Sequence, residues 1–304
     1  MAVRNVVNKS ARVGRRERRQ VGDRLEEGSL SVSRAVHSGV LKGGKPTRRM
    51  ADLLHGTWLG HPLHPVLTDL TIGAFTYGAL FDVAGTVTGD RNTQRVGDQL
   101  TALGMASAVP TALAGVADFS AIDRGSVRSA GLHGLLNGAA LGLYGLSLVQ
   151  RRRGRRGSGV ALGLAALGTN LFSAWIGGHL SYRERVGVDH AERFDDVDQW
   201  TPVLPLDELP DGGRKRVELD GKGVLLYREG HRVFAIGSVC SHAGGPLEEG
   251  EIRDCKVQCP WHDSVFDMRD GRVVHGPATS PVASFEARLQ GDQVAIRSAS
   301  QAGF

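Results

Sequence analysis

The chain has 304 residues, of which 41% are hydrophobic and 23% are charged, with a formal net charge of +5. This length exceeds the usual size of a single hydrophobic core and indicates at least two domains. The charge is unevenly spread: residues 1–50 contain 13 Lys and Arg against 4 Asp and Glu, whereas the remainder is slightly acidic.

The basic N-terminal stretch does not read as an export signal. It lacks an apolar core, and the arginine pairs Arg15-Arg16 and Arg18-Arg19 are not followed by the apolar run of a twin-arginine signal. We therefore expect residues 1–50 to form a disordered basic arm that can lie against anionic lipid. Nucleic acid is the disfavoured alternative, because the arm has no interleaved aromatic residues, and no nucleic-acid partner is expected.

Four segments rich in Gly, Ala and Leu follow, near residues 66–88, 99–119, 129–150 and 158–180. The last three lack Lys, Arg, Asp and Glu over about nineteen residues, enough to cross about 30 Å of hydrocarbon; Asp69 and Asp82 interrupt the first. Small residues at four-residue spacing, Gly138/Gly142 and Gly159/Gly163, allow close helix packing in lipid. A soluble bundle is the alternative, but it would show polar faces at helical period. We predict an all-α four-helix transmembrane bundle over residues 51–182.

The run Trp58-Leu-Gly-His61-Pro-Leu-His64-Pro-Val-Leu-Thr-Asp69 resembles the opening signature of the DUF2231 family. The resemblance covers about residues 58–182 and implies four membrane spans. It implies no chemistry, because the family is uncharacterised.

In a bundle of four consecutive spans, the span starts and ends alternate between the two membrane faces. This alternation places several ionisable residues at the same end of the predicted bundle. The set comprises His61, His64, Asp69, Asp118, His133 and His179. Ionisable groups within membrane segments are functional candidates, and helix bundles hold cofactors between facing helices. We hypothesise a site for haem b, a metal ion or a quinone head group. The alternative is structural: the histidines cap carbonyls, and His61-Pro-Leu-His64-Pro is a rigid helix start.

An acidic linker is expected over residues 183–199, and a ligand-like pattern lies beyond it. Cys240-Ser-His242 and Cys259-Pro-Trp-His262 form two Cys-His pairs separated by sixteen residues. Two thiolates and two imidazoles suit a [2Fe-2S] centre in which His replaces Cys on one iron. A zinc site is the alternative, but zinc motifs usually pair Cys with Cys and His with His. We expect Cys240 and Cys259 on one iron and His242 and His262 on the other.

The pattern resembles the Rieske family, and the flanking residues extend the resemblance. These are Gly244-Gly245-Pro246-Leu247, Ser264-Val265-Phe266-Asp267 and Gly276-Pro277-Ala278. The resemblance implies that Ser264 donates to a bridging sulfide and tunes the potential, while Phe266 replaces the tyrosine of high-potential members. Asp263 replaces a common glycine and tolerates unusual backbone angles. Gly244 or Gly245 and Trp261 occupy the positions of the disulfide clamp of respiratory members, so no clamp is expected. Cys255 is expected to be a small buried hydrophobe on a strand.

Residues 200–298 read as a small all-β domain of antiparallel sheets. Short apolar runs at 224–227, 233–236, 273–274, 284–289 and 294–296 are separated by Gly or Asp turns. Only 42 residues follow His262, so we expect no catalytic oxygenase domain after it. We therefore expect an oxidoreductase component without a substrate-converting domain of its own, and the sequence does not decide whether it is an enzyme.

Together these features predict a membrane-anchored Rieske iron–sulfur protein that carries single electrons between a redox protein and a membrane or soluble acceptor. The alternative is a redox or oxidant sensor that uses the cluster as its sensing element. Eight basic residues near one membrane face against seven near the other do not decide the orientation. The basic arm, the missing export signal and the missing clamp favour a multi-pass protein of the inner (plasma) membrane with a cytoplasmic Rieske domain.

Overall fold

The computed structural model describes residues 2–299, with side chains from Gly22 onward. Over this range the chain forms six α-helices followed by ten β-strands. The predicted class, an all-α membrane-capable bundle before a small all-β domain, is confirmed. The helices are α1 (Ala2–Lys42), α2 (Gly44–His55), α3 (Leu63–Thr88), α4 (Arg91–Phe119), α5 (Val127–Arg152) and α6 (Arg156–Tyr182).

The chain divides into two compact units, each described by itself. The first contains the chain up to Lys42 together with His64–Val186, and the second contains Gly43–Leu63 together with the chain from Gly187 on. The second unit thus includes α2, which we had expected to belong to the basic arm and to the start of the membrane domain. Helix α2 belongs with the β-domain because it binds a loop of that domain.

In the helical unit, α3 to α6 are the four helices among the described residues that are long and apolar enough to cross a membrane. Each has 26 to 29 residues, and its most apolar window has a mean hydropathy of 1.3 to 1.5. The predicted close approach of small residues holds at Gly159, where a Cβ atom would lie 3.0 Å from the Ser147 carbonyl oxygen. At Gly138 and Gly142 a Cβ atom would meet nothing within 4 Å.

A group of four charges, of which Asp82 and Arg151 are buried, explains why α3 carries an aspartate in an apolar segment. The side chains of Asp82 in α3 and Arg151 in α5 are 2% and 4% exposed, and they form an ion pair of 2.5 Å. Arg151 also contacts Asp98 of α4 at 2.7 Å, and Arg156 of α6 contacts Asp82 at 3.0 Å and Asp98 at 2.9 Å. Opposite charges therefore compensate each other inside the bundle, which makes the interruption tolerable.

The expectation of a disordered arm over residues 1–50 is wrong for the described residues, because α1 and α2 occupy most of it. Ser29 and Ser33 of α1 are buried, and the Ser33 hydroxyl donates to the Ser120 carbonyl at 3.2 Å. A Cβ atom on Gly131 of α5 would meet the Ser29 hydroxyl at 2.0 Å. Small side chains thus let α1 lie close against the bundle, although the helix is polar.

The second unit contains two antiparallel sheets. The strands are β1 (Thr201–Pro205), β2 (Arg214–Leu219), β3 (Lys222–Glu229), β4 (Arg232–Gly237), β5 (Glu251–Arg253), β6 (Lys256–Gln258), β7 (Val265–Asp267), β8 (Val273–His275), β9 (Ser284–Gln290) and β10 (Gln293–Ser298). Among the described residues, six strands form one sheet in the order β1-β10-β9-β4-β3-β2, and four form the other in the order β5-β6-β7-β8. The five apolar runs predicted as strands lie in β3, β4, β8, β9 and β10.

The successive side chains of Val224, Leu225 and Leu226 in β3 are all buried but pack alternately into two apolar clusters, one on each face of the larger sheet. One is centred on Val224, Leu226 and Ile296 of the larger sheet. The other contains Leu225 and Ile236 together with Leu247, Val257, Phe266 and all three cysteines of the chain. The second cluster therefore anchors the loops that follow β4 and β6, and these loops carry the two Cys-His pairs.

Candidate metal centre

The two loops that carry the Cys-His pairs are built on the same backbone pattern. In the first loop (residues 240–247), Cys240 N donates to Gly245 O and Gly244 N donates to Cys240 O, each at 2.9 Å. In the second loop (residues 259–264), Cys259 N donates to Ser264 O at 2.8 Å and Asp263 N donates to Cys259 O at 3.2 Å. Each cysteine thus begins a turn whose fifth residue closes back onto it.

That fifth residue has a left-handed backbone in both loops. Gly244 has φ 78° and Asp263 has φ 63°. The prediction that Asp263 would adopt an unusual backbone angle is confirmed. An amide hydrogen bond from Gln258 to the Asp263 carboxylate supports the conformation, and aspartate is among the non-glycine residues that tolerate it best.

The four predicted ligands converge at the tips of these two loops. The Cys240 and Cys259 side chains lie within hydrogen-bonding reach of each other. The rings of His242 and His262 have centroids 5.0 Å apart and planes at 83°. The arrangement therefore places sulfur beside sulfur and imidazole beside imidazole, as a centre with two chemically different irons requires.

Backbone amides surround the sulfur atoms. The amides of His242 and Ala243 donate to the Cys240 sulfur, and those of Trp261 and His262 donate to the Cys259 sulfur. Together with the Cys240 thiol, these bonds lower the pKa of Cys259 to about 7. The neighbouring Cys259 sulfur and, after it, burial raise the pKa of Cys240. Amide donors of this kind stabilise thiolates, the form in which cysteine binds iron.

The histidine side offers buried nitrogen atoms. Nδ1 of His242 is buried without a hydrogen-bond partner, and Nδ1 of His262 is also buried. Burial lowers the pKa of His242 to about 3, and the imidazoles of His262, His55 and His190 act in the same direction. A buried neutral imidazole nitrogen with no partner is costly unless it binds a ligand. The residues present thus fit a [2Fe-2S] cluster with two sulfur and two nitrogen ligands.

No disulfide clamps the two loops, since all three cysteines of the chain lie in the described part and have free thiols. At Gly245 a Cβ atom would lie 2.7 Å from the Cys259 sulfur and 3.2 Å from the Trp261 ring. The loops therefore close on a glycine covered by Trp261. Cys255 is buried as expected, but it lies in the tight turn between β5 and β6 with φ 57°, not on a strand.

Ser264, the residue predicted to tune the cluster, is held by one backbone hydrogen bond from the loop of residues 275–281. The side chain is fully buried, and its Oγ accepts a hydrogen bond from Ala278 N at 3.0 Å. The hydroxyl hydrogen therefore remains available as a donor. Phe266 is also fully buried and lies in the core cluster beneath the loops.

Three residues that the sequence analysis missed lie around the third loop (residues 275–281) and the His242 ring. Asp52 of α2 accepts from His275 Nδ1 at 2.8 Å and from Gly276 N at 2.9 Å. His55 of α2 is 4% exposed and packs against Gly276. His190 of the linker donates its amide to Ser241 O at 2.9 Å. Nothing in the local sequence relates Asp52 to a loop 223 residues away.

The bundle residues proposed as a second site are only partly brought together. The rings of His64 and His133 lie edge to face with centroids 6.4 Å apart. His64 Nδ1 lies 2.9 Å from the Thr111 carbonyl, and His133 Nδ1 lies 2.8 Å from the Ser173 carbonyl. Asn137 contacts His133 Nε2 at 3.0 Å. Both ring nitrogens of His133 are thus engaged by protein groups.

The other four members of that set lie in different surroundings. His179 contacts Glu184 at 3.3 Å, Asp118 is partly buried in α4, and Asp69 is exposed on α3. His61 is exposed and belongs to the second unit. Among the described residues, no group of three or more His, Cys, Asp or Glu side chains could hold a single metal ion. The four residues predicted as cluster ligands do not form such a group either, as expected if each iron of a [2Fe-2S] cluster binds only two of them.

Comparison with known proteins assigns both parts of the chain. Residues 199–286 match the family described as Rieske [2Fe-2S] domain, and residues 60–190 match the family described as predicted membrane protein (DUF2231). The anthranilate 1,2-dioxygenase ferredoxin subunit of Burkholderia cepacia is 31% identical over 98 residues, which are 32% of this chain and 91% of that protein.

Two further relatives cover the same region. The 3-phenylpropionate/cinnamic acid dioxygenase ferredoxin subunit of Photorhabdus laumondii is 33% identical over 95 residues, which are 31% of this chain and 90% of that protein. Among solved structures, the ferredoxin of carbazole 1,9a-dioxygenase from Nocardioides aromaticivorans is 29% identical. That match covers 34% of this chain and all of the ferredoxin, with a TM-score of 0.32.

Proposed function

Because the chain belongs to the Rieske [2Fe-2S] family and carries a DUF2231 membrane domain ahead of the Rieske domain, we propose that it is a membrane-anchored carrier of single electrons. The observation that carries the proposal is the convergence of the two loops. They bring sulfur against sulfur and imidazole against imidazole, and they leave a buried His242 nitrogen with no protein partner.

In this proposal, Cys240 and Cys259 hold one iron, and His242 and His262 hold the other. The bound cluster supplies a reversible one-electron couple. The chain's own groups set how easily that couple is reduced: amides at the sulfur atoms and the Ser264 hydroxyl stabilise the added negative charge. Phe266 offers no such donor, which favours a low to intermediate potential.

Electrons enter and leave at the histidine end of the site. Trp261 lies between the two ligands of the second loop and is 52% exposed, whereas Cys240 and Cys259 are buried in the core. A redox partner can therefore approach the tip of the second loop more closely than the sulfur side. Several relatives are ferredoxin components of dioxygenase systems, and we propose a redox protein as donor and a second redox protein or a membrane acceptor as the electron's destination.

We place the protein in the plasma membrane with the Rieske domain in the cytoplasm. The seven basic residues counted near the membrane face opposite the termini include Arg151 and Arg156, which form ion pairs within the bundle. Compensation of these two charges favours the face of both termini as the cytoplasmic one.

We leave haem b and quinone out of the proposed cofactors. An axial haem ligand needs an imidazole nitrogen free to bind iron, and Asn137 and the Ser173 carbonyl take up both ring nitrogens of His133. The contacts of His64 and His133 with backbone carbonyls instead support a structural role, in which the two rings join neighbouring helices.

The test is spectroscopic. Protein purified from membranes is measured by absorbance and electron paramagnetic resonance, oxidised and after dithionite. We expect a rhombic signal of a His-ligated cluster in the reduced sample only, and its loss in the His242→Ala and His262→Ala variants. A stable, reversible couple in potentiometry supports electron transfer, whereas a cluster destroyed by air supports the sensing alternative. A protein that carries zinc and no iron would overturn the proposal.

A further inference from the structure

We propose that Asp52, in the helix that precedes the first membrane span, is a positioning residue of the cluster site. It lies 147 residues before the start of the matched Rieske region at residue 199. The inference rests on the proposed electron-carrier function and adds to it a residue that acts on the cluster through the third loop.

Asp52 binds the third loop with both carboxylate oxygens. Oδ2 accepts from His275 Nδ1 at 2.8 Å, and Oδ1 accepts from the Gly276 amide at 2.9 Å. The Asp52 side chain is 19% exposed, so solvent screens these bonds only in part. Hydrogen bonds to a charged acceptor are stronger than neutral ones, and a pair of them fixes both the position and the direction of the loop backbone.

The third loop in turn fixes Ser264. Two residues after Gly276, the Ala278 amide donates to Ser264 Oγ at 3.0 Å. That bond uses one lone pair of the hydroxyl and leaves its hydrogen available to another acceptor. A shift of residues 276–278 would therefore turn or release the donor that tunes the cluster.

Further contacts next to Asp52 hold helix α2 in place, so that Asp52 can position the third loop. His55, one turn after Asp52, is buried. Its ring lies close to Gly276, since a Cβ atom added to Gly276 would be 3.2 Å from the ring. Gly56 ends the helix with φ 84°, and its amide donates to the Asp52 carbonyl at 3.1 Å. A Cβ on Gly56 would lie 2.2 Å from the His61 carbonyl oxygen, so the chain turns tightly from α2 toward Leu63, where α3 begins.

The experiment compares Asp52→Asn with Asp52→Ala in the full-length protein with its cluster, in detergent. Both variants lose the negative charge, but the Asn oxygen can still accept from the Gly276 amide. We expect amide hydrogen exchange at both Gly276 and Ala278 to be faster in the Ala variant, on the order of tenfold, and less so in the Asn variant. Glu249→Gln is the matched control, because it removes one exposed carboxylate of the same domain away from the third loop.

The reduction potential provides the second readout. The Asn and Ala variants have equal charge, so a lower potential in Asp52→Ala reports the loosened loop. If Asp52 acts on the potential through Ser264, this difference between the Asn and Ala variants should vanish when Ser264→Ala is added to both. A role of Asp52 in stability alone would leave the two potentials equal.

Three results would overturn the inference: unchanged exchange at Gly276 in Asp52→Ala, equal potentials of the Asn and Ala variants, or a difference that persists with Ser264→Ala. Failure of the electron-carrier proposal is distinguishable. In that event the wild-type protein itself shows no Rieske signal, while exchange at Gly276 in the cluster-free chain still reports whether Asp52 holds the loop.

Discussion

Replacing Ser264 by Ala should lower the reduction potential of the cluster. The hydroxyl is fully buried and accepts from Ala278 N, so its hydrogen is available to a bridging sulfide. A hydrogen bond to a charged acceptor contributes roughly 1.5–3 kcal/mol. We take half of this free energy as the strengthening of the hydrogen bond when the cluster receives an electron. A tenfold change in the equilibrium constant of a one-electron couple corresponds to about 59 mV, so the expected decrease in potential is roughly 30–60 mV.

The measurement is an optical or paramagnetic-resonance redox titration of wild type and variant. Ser264→Thr keeps the hydroxyl and should retain most of the wild-type potential. Ser298→Ala is the control: it removes a hydroxyl of the same domain that accepts from Val197 N at 2.8 Å, on strand β10 of the larger sheet. A Ser264→Ala potential equal to or above that of wild type would refute the reasoning.

Three further predictions follow from contacts in the two units. Gly245→Ala should reduce iron content strongly, measured per purified chain, because a Cβ atom would lie 2.7 Å from the Cys259 sulfur; full loading would contradict this. Arg151→Met should lower the free energy of unfolding by about 3 kcal/mol, since Asp82 stays buried with only Arg156 as partner, whereas the exposed Arg153→Met should change it by less than about 0.5 kcal/mol. Protein produced with ample haem should show no Soret band, because both ring nitrogens of His133 are engaged; a band lost in His133→Ala would contradict this.

Local patterns were sufficient to predict the cluster loops and the strands around them. The spacing of Cys240, His242, Cys259 and His262 expresses the chemistry of a cluster with two different irons, and short apolar runs between turns indicate strands. The left-handed residue Asp263 was also predictable, because it stands where a glycine is common. These features depend on neighbours in sequence.

Features that depend on distant partners were not predictable in this way. Helix α1 carries charges that read as a disordered arm. Only the contacts of Ser29 with Gly131 of α5 and of Ser33 with Ser120 after α4 reveal why it is ordered. Asp52 meets its loop across 223 residues, so no periodicity points to it. Asp82 appeared to weaken the first span, since the sequence does not show that Arg151 compensates its charge.

The charges inside the bundle have a consequence for how the membrane domain is made. Asp82 and Asp98 belong to the α3–α4 hairpin, whereas Arg151 and Arg156 belong to the α5–α6 hairpin. Within this group, each hairpin alone carries two charges of one sign, which are costly in hydrocarbon until the other hairpin arrives. The α3–α4 hairpin is synthesised first and is therefore expected to remain an incompletely folded intermediate. It is completed when the α5–α6 hairpin supplies the two compensating positive charges.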